Sequence, residues 1–288
     1  MIAPAHRFDG LDQKPLFFIH IPKTAGGSLQ SFLEDRFNDS EVFQGWNTMD
    51  LARASESDLQ GKRLFRGHFT AQQAASLSSL ELEWMTILRE PSNLVRSMYD
   101  WIRSLDPETY YSQSENAARQ RGKKLIFDQI KSASDMAIIA AQELSFRDYL
   151  KSDSPALGLV RDHLQTKMLC NLDVTDRDWW LDKATANEKV CAAKHQALAN
   201  LKKVQHLGLF ERLDSSVAML CWRRGWPYEG LGVRRHRSNW GQNKPCFDAE
   251  ESESVKALLP QTTNIDDKLY RSARKYFTSN LPSLKQHS

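Results

Sequence analysis

A short apolar run followed by a glycine-containing loop constrains this chain more than any other part of its sequence. Residues 16–21 read LFFIHI and are bounded by Pro15 and Pro22, a pattern typical of a buried strand. Residues 23–27 are small or polar, and from Ser28 onward apolar residues recur at helical spacing. The sequence therefore predicts a strand, a tight loop and a helix, which is the first unit of an α/β fold.

The same order of strand and helix recurs further along the chain. Additional strands and helices are predicted at 63–66, 83–88, 93–104, 204–209 and 214–224. The last of these helices begins at Asp214, a residue type favoured at helix N-caps, and stops at Gly225. This pattern predicts an α/β fold with a mostly parallel central sheet.

Length and composition favour one domain over residues 1–288. The 288 residues are 41% hydrophobic, which is enough to fill one large core. Residues 105–135 are polar and charged and are predicted to form an excursion over the active face, and residues 279–288 a frayed tail. A net charge of +3 is too balanced for a chain that coats nucleic acid, but it is compatible with a local basic pocket for an anion.

Apolar runs and cysteine spacing exclude other classes. The apolar runs are far shorter than the roughly 20 residues that span a bilayer, so we expect no membrane span. The first 15 residues do not have the pattern of a secretory signal. The cysteines at 170, 191, 221 and 246 match no zinc or redox pattern and are expected to be buried free thiols.

Residues 22–29 have the composition of an anion-binding loop. Small residues allow backbone N–H groups to turn inward, Thr24 and Ser28 offer hydroxyls, and Lys23 adds a positive charge near a helix N-terminus. In a Walker A loop the lysine follows the glycines, whereas Lys23 precedes them, and the strand at 83–88 is followed by Arg89 where a Mg²⁺ site needs Asp. The loop therefore predicts a phosphate or sulfate site of another kind. The alternative is a plain βα turn in which two glycines relieve strain.

The loop sequence PKTAGGSL resembles the 5′-phosphosulfate loop, PKTGGTSL and its variants, of sulfotransferases that use 3′-phosphoadenosine-5′-phosphosulfate (PAPS). Residues 89–99, REPSNLVRSMY, are similar to the 3′-phosphate element of that family, in which an Arg and a Ser eight positions later bind the phosphate; here these are Arg89 and Ser97. The alternative for these two is a surface ion pair and an exposed helical serine. The chain departs from the family loop at Gly27, where Thr is usual.

The resemblance is greatest to carbohydrate sulfotransferases of the heparan sulfate 2-O type and their soluble bacterial relatives. It covers about residues 16–104 and, more loosely, 160–226. It implies a P-loop-like three-layer α/β/α fold, PAPS as donor, adenosine 3′,5′-bisphosphate as product, and no metal or redox cofactor.

The resemblance also implies roles for individual residues. Arg89 and Ser97 would hold the 3′-phosphate, and Lys23 would also stabilise charge on the leaving phosphate oxygen. The basic run that includes Arg234 and Arg235 is expected either to close over the phosphates or to be a solvated face. The residues expected to hold the 5′-phosphosulfate are Lys23, Thr24, Ala25, Gly26, Gly27, Ser28 and Leu29.

His68 is the candidate general base. It follows the second predicted strand and is similar in position to the Gly-His motif of the heparan-type enzymes. Imidazole has an unperturbed pKa of about 6.5, the nearest to neutral among side chains. The alternative is a turn histidine that bonds a backbone carbonyl. Relatives can carry a second histidine two positions earlier, where this chain has Arg66, and that argues against a two-histidine mechanism.

Two further segments and several tryptophans have open interpretations. Residues 161–170 resemble a family segment near the acceptor side but also fit a core helix. Residues 207–212 also resemble a family segment, but plain packing at a strand end is favoured there. Five tryptophans could form a sugar platform or belong to the core, namely Trp179, Trp180, Trp222, Trp226 and Trp240.

The sequence thus predicts an enzyme that transfers a sulfuryl group from PAPS to a hydroxyl acceptor. An oligosaccharide is the first candidate, and a lipid, a small metabolite or a protein tyrosine are the others. A cytoplasmic bacterial enzyme fits best, and the alternative is the luminal domain of a Golgi enzyme lacking its anchor. Other interpretations are a nucleotide-dependent phosphotransferase, which would require Mg²⁺, and a non-catalytic module that binds anions or glycans.

Overall fold

The computed structural model describes residues 13–105, 141–170, 183–228 and 253–280. Several predictions lie outside these residues and concern the excursion at 106–135, the basic residues Arg234 and Arg235, three tryptophans (Trp179, Trp180 and Trp240) and Cys246.

Within the described residues, four parallel strands form a sheet in the spatial order β2-β1-β3-β4. They are β1 (Leu16–Ile19), β2 (Leu64–Gly67), β3 (Glu83–Leu88) and β4 (Val204–Leu209). Because the strands are parallel, their carboxyl ends meet at one edge of the sheet, and the loops that follow β1, β2 and β3 leave from that edge. The predicted α/β class and parallel sheet are confirmed.

The helices connect and cover the strands, and no helix of the described residues has both the length and the apolarity needed to cross a bilayer. Short 3₁₀ segments lie at Asp39–Glu41, Ser78–Leu80 and Phe210–Arg212. The α-helices are α1 (Gly26–Glu34), α2 (Thr48–Ala52), α3 (Glu56–Leu59), α4 (Ala71–Ser76), α5 (Pro91–Arg103), α6 (Phe146–Lys151), α7 (Pro155–Arg161), α8 (Leu164–Leu169), α9 (Lys183–Leu201), α10 (Leu213–Arg224) and α11 (Glu253–Asn280).

Helices pack on both faces of the sheet. On one face, Phe18 and Ile87 contact apolar residues of α1 and α10. On the other, Phe17 and Phe65 belong to a larger core that includes residues of α5, α6, α8, α9 and α11. Strands buried on both faces are apolar at nearly every position, which explains why the sequence reads as short apolar runs without alternation.

Several element boundaries differ from the predictions by one or two residues, whereas those of β3 and β4 match. β1 ends at Ile19 and not at residue 21, and the bond from the His20 N–H to the Gly67 carbonyl at 3.1 Å is the last contact of its ladder with β2. α5 begins at Pro91, since proline lacks the N–H that a first helical turn leaves unpaired, and Glu90 caps the next two N–H groups.

The boundaries of two other helices also needed correction. α10 begins at Leu213, so Asp214 lies in its first turn and not at the N-cap, and Gly225 ends it in a left-handed conformation as expected. α11 extends to Asn280, so residues 279 and 280 of the predicted tail are helical, and the rest of that prediction lies outside the described residues.

The described cysteines are free thiols, as expected. Cys170 and Cys221 are buried, whereas Cys191 is exposed, which corrects the expectation that all are buried.

A cluster of charged residues joins several elements near the amino-terminal ends of the strands. Glu83 at the start of β3 accepts hydrogen bonds from His206 Nε2 of β4 at 2.9 Å and from Arg224 of α10. Arg224 also donates to the Lys14 carbonyl at 3.0 Å, just before β1. These donors, first of all His206, lower the pKa of Glu83 to about 2.

Glu83→Gln should lower the free energy of unfolding by about 2 kcal/mol at pH 7, a value reduced for solvent screening of the half-exposed carboxylate. A carboxyl with a lowered pKa in the folded state stabilises it above its unfolded pKa, and this stabilisation is lost as pH falls from about 4.5 towards 2. Urea unfolding at a series of pH values should show the two proteins converging across that window.

The matched control is Glu81→Gln, since Glu81 forms only an exposed pair with Lys14 at 3.2 Å. It should change stability by less than about 0.5 kcal/mol. Equal effects of the two substitutions at pH 7 would contradict the role given to the cluster.

Candidate active site

The loop between β1 and α1 is a compact turn, and α1 begins directly after it, near the carboxyl ends of the strands. Lys23 and Ala25 have φ angles of 66° and 74°, a left-handed conformation that costs residues with a Cβ about 1 kcal/mol or more each. Ala25 is the N-cap of α1 and offers no side-chain acceptor, so it leaves the first-turn N–H groups of α1 uncapped. Such N–H groups can bind an anion, as the sequence predicts.

The structure gives the two loop hydroxyls different environments. Thr24 is fully buried, and its hydroxyl donates a hydrogen bond to the Ile21 carbonyl at 2.8 Å. Its side chain therefore stabilises the turn, and only its backbone is left to meet an anion. Ser28 is half-buried in the first turn of α1, where a hydroxyl can supplement the N–H groups.

The two glycines of the loop are not equivalent. A Cβ on Gly26 would lie 1.4 Å from His20 Nε2, so the imidazole requires glycine at this position. A Cβ on Gly27 would have no neighbour within 4 Å. The absence of the family's usual Thr at Gly27 therefore has no steric cause in the described residues.

Gly26→Ala should destabilise the protein by at least about 2 kcal/mol, because the methyl overlaps a buried ring. Gly27→Ala is the control and should leave stability unchanged within about 0.5 kcal/mol or raise it slightly, as alanine favours helix. Thermal unfolding of both variants measures this.

The double variant His20→Ala/Gly26→Ala tests the cause of the effect. Because removal of the ring frees the space, the two substitutions should be non-additive by about 1 kcal/mol or more. Additive losses would contradict the proposed overlap.

Arg89 lies beside the loop at the end of β3. Its guanidinium donates to the Lys23 carbonyl at 2.9 Å and stacks over the Phe210 ring at 4.2 Å from the centroid. Burial lowers the pKa of Lys23, the positive charge of Arg89 lowers it further, and the Asp100 carboxylate opposes both. Burial also lowers the pKa of Arg89, although two nearby glutamates oppose this effect, so the two neighbouring cations are partly compensated and a bound anion would stabilise both further.

Residues of α5 lie next to Lys23. The Lys23 ammonium lies over the Trp101 ring at 5.7 Å, and Asp100 is near enough to raise the pKa of Lys23. Ser97 precedes these residues by three and four positions, so it lies on the same side of α5. The structure thus gathers Lys23, Arg89 and the Ser97 face of α5, which the sequence places far apart.

His68 follows β2 and lies at the same edge of the sheet. Its Nδ1 is 2.9 Å from the His20 carbonyl oxygen. A carbonyl only accepts, so Nδ1 carries the hydrogen and Nε2 keeps the lone pair in the neutral ring. Burial lowers the pKa of His68 more than this hydrogen bond raises it, so His68 is neutral at pH 7 and its Nε2 can take a proton.

His20 is a site residue that the sequence reasoning missed. Its ring stacks on His68 with centroids 4.4 Å apart, and burial, followed by repulsion from His68, holds its pKa well below the usual value. The sequence places His20 directly before the loop, which could have identified it as a site residue, but it was included in the predicted strand at 16–21.

Arg66 occupies the position at which relatives can carry a second histidine. It pairs with Glu34 of α1 and donates to the carbonyls of Phe43 and Gly45 at 3.2 and 3.0 Å. The second imidazole of the site comes from His20 instead.

Trp46 is the tryptophan nearest the candidate base among the described residues. Its ring meets His68 edge-on at 5.5 Å and His20 at 6.1 Å. Of the tryptophans considered as a sugar platform, Trp222 is exposed on α10 and Trp226 packs edge-on against Phe37 at 5.9 Å. No motif in the sequence marked Trp46.

Comparison with known proteins finds no matching family model, no similar curated protein and no matching solved structure. The function of the site is therefore argued from its residues and geometry.

Proposed function

We propose that this protein transfers a sulfuryl group from PAPS to a hydroxyl of an acceptor, with an oligosaccharide as the first candidate. The observation that carries the proposal is the common location of three elements at one edge of the sheet. These are the Lys23 loop after β1, the neutral His68 after β2 and Arg89 after β3. We further propose that the three-layer arrangement is of the P-loop-like type.

The donor would be held through its two anionic ends. The N–H groups at the start of α1, with Ser28 and Lys23, would bind the 5′-phosphosulfate, and Arg89 with Ser97 would bind the 3′-phosphate. The bond from Arg89 to the Lys23 carbonyl fixes the separation of these two halves. Lys23 would stabilise the charge that develops on the phosphate oxygen as its bond to sulfur breaks.

His68 would accept the proton of the acceptor hydroxyl. As the acceptor oxygen bonds to sulfur, its O–H bond breaks and the proton moves to Nε2, the nitrogen that the His20 carbonyl leaves unprotonated. Trp46 lies edge-on to His68, where a flat apolar ring can orient a pyranose acceptor. The Trp46 contact is what favours a sugar over a smaller alcohol.

Lys23→Met and His68→Asn should each lower kcat/KM for transfer of labelled sulfate from PAPS to glycan acceptors. We expect about 10²–10³-fold for the lysine and about 10²–10⁴-fold for the histidine. The controls Lys256→Met and His195→Asn change exposed side chains and should retain activity.

Transfer should proceed at full rate in a metal chelator, since no step above uses Mg²⁺. A strict Mg²⁺ requirement would support the phosphotransferase alternative, and nucleotide binding without turnover would support the non-catalytic module.

The acidic limb of the kcat/KM profile should lie below pH 6.5. His68 acts as a base only when neutral, and its lowered pKa means that activity is lost only as pH falls through that lower value. His68→Asn should remove this limb from the residual activity. A limb above pH 7 in the wild-type protein would contradict the environment described for His68.

A further inference from the structure

The backbone of Arg89 is paired with a side chain from a distant helix. The Arg89 N–H donates to Gln165 Oε1 at 2.9 Å, and Gln165 Nε2 donates back to the Arg89 carbonyl at 2.9 Å. This exchange of two bonds imitates a rung of a β-ladder one residue beyond the end of β3. Gln165 is fully buried, so the loss of either bond leaves an unpaired polar group without water.

Gln165 is in turn held by Asp266 of α11. Asp266 Oδ2 accepts from the Gln165 N–H at 3.1 Å, and Oδ1 accepts from the N–H and hydroxyl of Thr166 at 2.8 and 2.7 Å. The N-cap of α8 is His163, which supplies no side-chain cap. Asp266, 100 residues away in the chain, therefore caps α8 from outside and fixes the helix that carries Gln165.

Three contacts therefore fix the Arg89 position. Its backbone is held by Gln165, its guanidinium is bonded to the Lys23 carbonyl, and its planar group stacks on Phe210. An arginine side chain loses rotamer entropy when it is ordered, so ordering it before the ligand arrives strengthens binding. A guanidinium also binds a phosphate well only in a narrow range of orientations.

We propose that Gln165 and Asp266 are positioning residues that orient Arg89 towards a 3′-phosphate, so that α8 and α11 set the preference for a nucleoside 3′,5′-bisphosphate over a 5′-monophosphate. This inference rests on the proposed function, because it takes Arg89 to be the 3′-phosphate ligand. Neither residue touches the phosphate in this account; each acts through Arg89.

Calorimetric titration with adenosine 3′,5′-bisphosphate and with adenosine 5′-monophosphate tests the proposal. The ratio of the two dissociation constants isolates the contribution of the 3′-phosphate. Asp266→Asn replaces an acceptor with a donor against the Gln165 N–H, and Gln165→Met removes both bonds to Arg89 while keeping the side-chain length. Each should weaken bisphosphate binding by about 10–100-fold, as changes to residues that orient a ligand group do, and leave monophosphate binding within about twofold.

Asp267→Asn is the matched control, one residue away on α11, where the carboxylate accepts only from the Thr263 hydroxyl at 3.1 Å among the described residues. It should leave the ratio unchanged. If Asp266→Asn fails to fold, Gln165→Met carries the test, because it buries no new donor.

The outcomes separate the two claims. A wild-type protein with no preference for the bisphosphate would overturn the proposed function and this inference together. A wild-type preference that persists in a folded Gln165→Met variant, or an equal loss for both nucleotides, would overturn this inference alone and assign Gln165 and Asp266 to stability only.

Discussion

The His20 imidazole lies so close to Gly26 that one added methyl group would overlap its ring. This contact joins the two chemical parts of the site. The ring packs against the start of α1, while the carbonyl of the same residue bonds His68 Nδ1 and sets which nitrogen of that ring can accept a proton. The position of the loop between β1 and α1 and the protonation state of the candidate base therefore both depend on one residue directly after β1.

Several ionisable side chains of the candidate site are buried, which is electrostatically unfavourable for their charged forms. Burial lowers the pKa of Lys23, His20 and His68, and Arg89 adds its own charge next to Lys23. Such clusters of perturbed groups reduce stability in the empty protein and are typical of sites that bind or react with charge. Under the proposed function, each anionic end of the donor would contact one of these two cations.

The sequence predicted the main elements of the fold because the strands are buried on both faces. Apolar runs gave the bounds of β3 and β4 correctly, and the run before the loop gave the position of β1. The apolar run continues through His20 and Ile21, which are buried although they lie beyond the end of β1. The run therefore predicted a strand two residues too long. Composition marks burial and does not distinguish a strand from a packed turn.

The site was only partly predictable for a similar reason. The loop, Arg89 and His68 stand next to strand ends, so the sequence could nominate them as candidates. The contributions of Gln165 and Asp266 depend on tertiary hydrogen bonds between residues about 100 positions apart. Helical periodicity in residues 161–170 indicated a core helix, and Gln165 is indeed buried in one. A side-chain amide that pairs with a backbone strand end has no sequence pattern of its own.

Thermal melting of the wild-type protein with adenosine 3′,5′-bisphosphate, compared with adenosine 5′-monophosphate and with ATP plus Mg²⁺, tests the central claim most directly. Ligand at 100 times its Kd stabilises a protein by about 2.7 kcal/mol, which shifts the melting temperature of a chain of this size by several degrees. The account predicts a shift that is much larger for the bisphosphate than for the other two nucleotides. No shift, or a shift only with ATP and Mg²⁺, would contradict it.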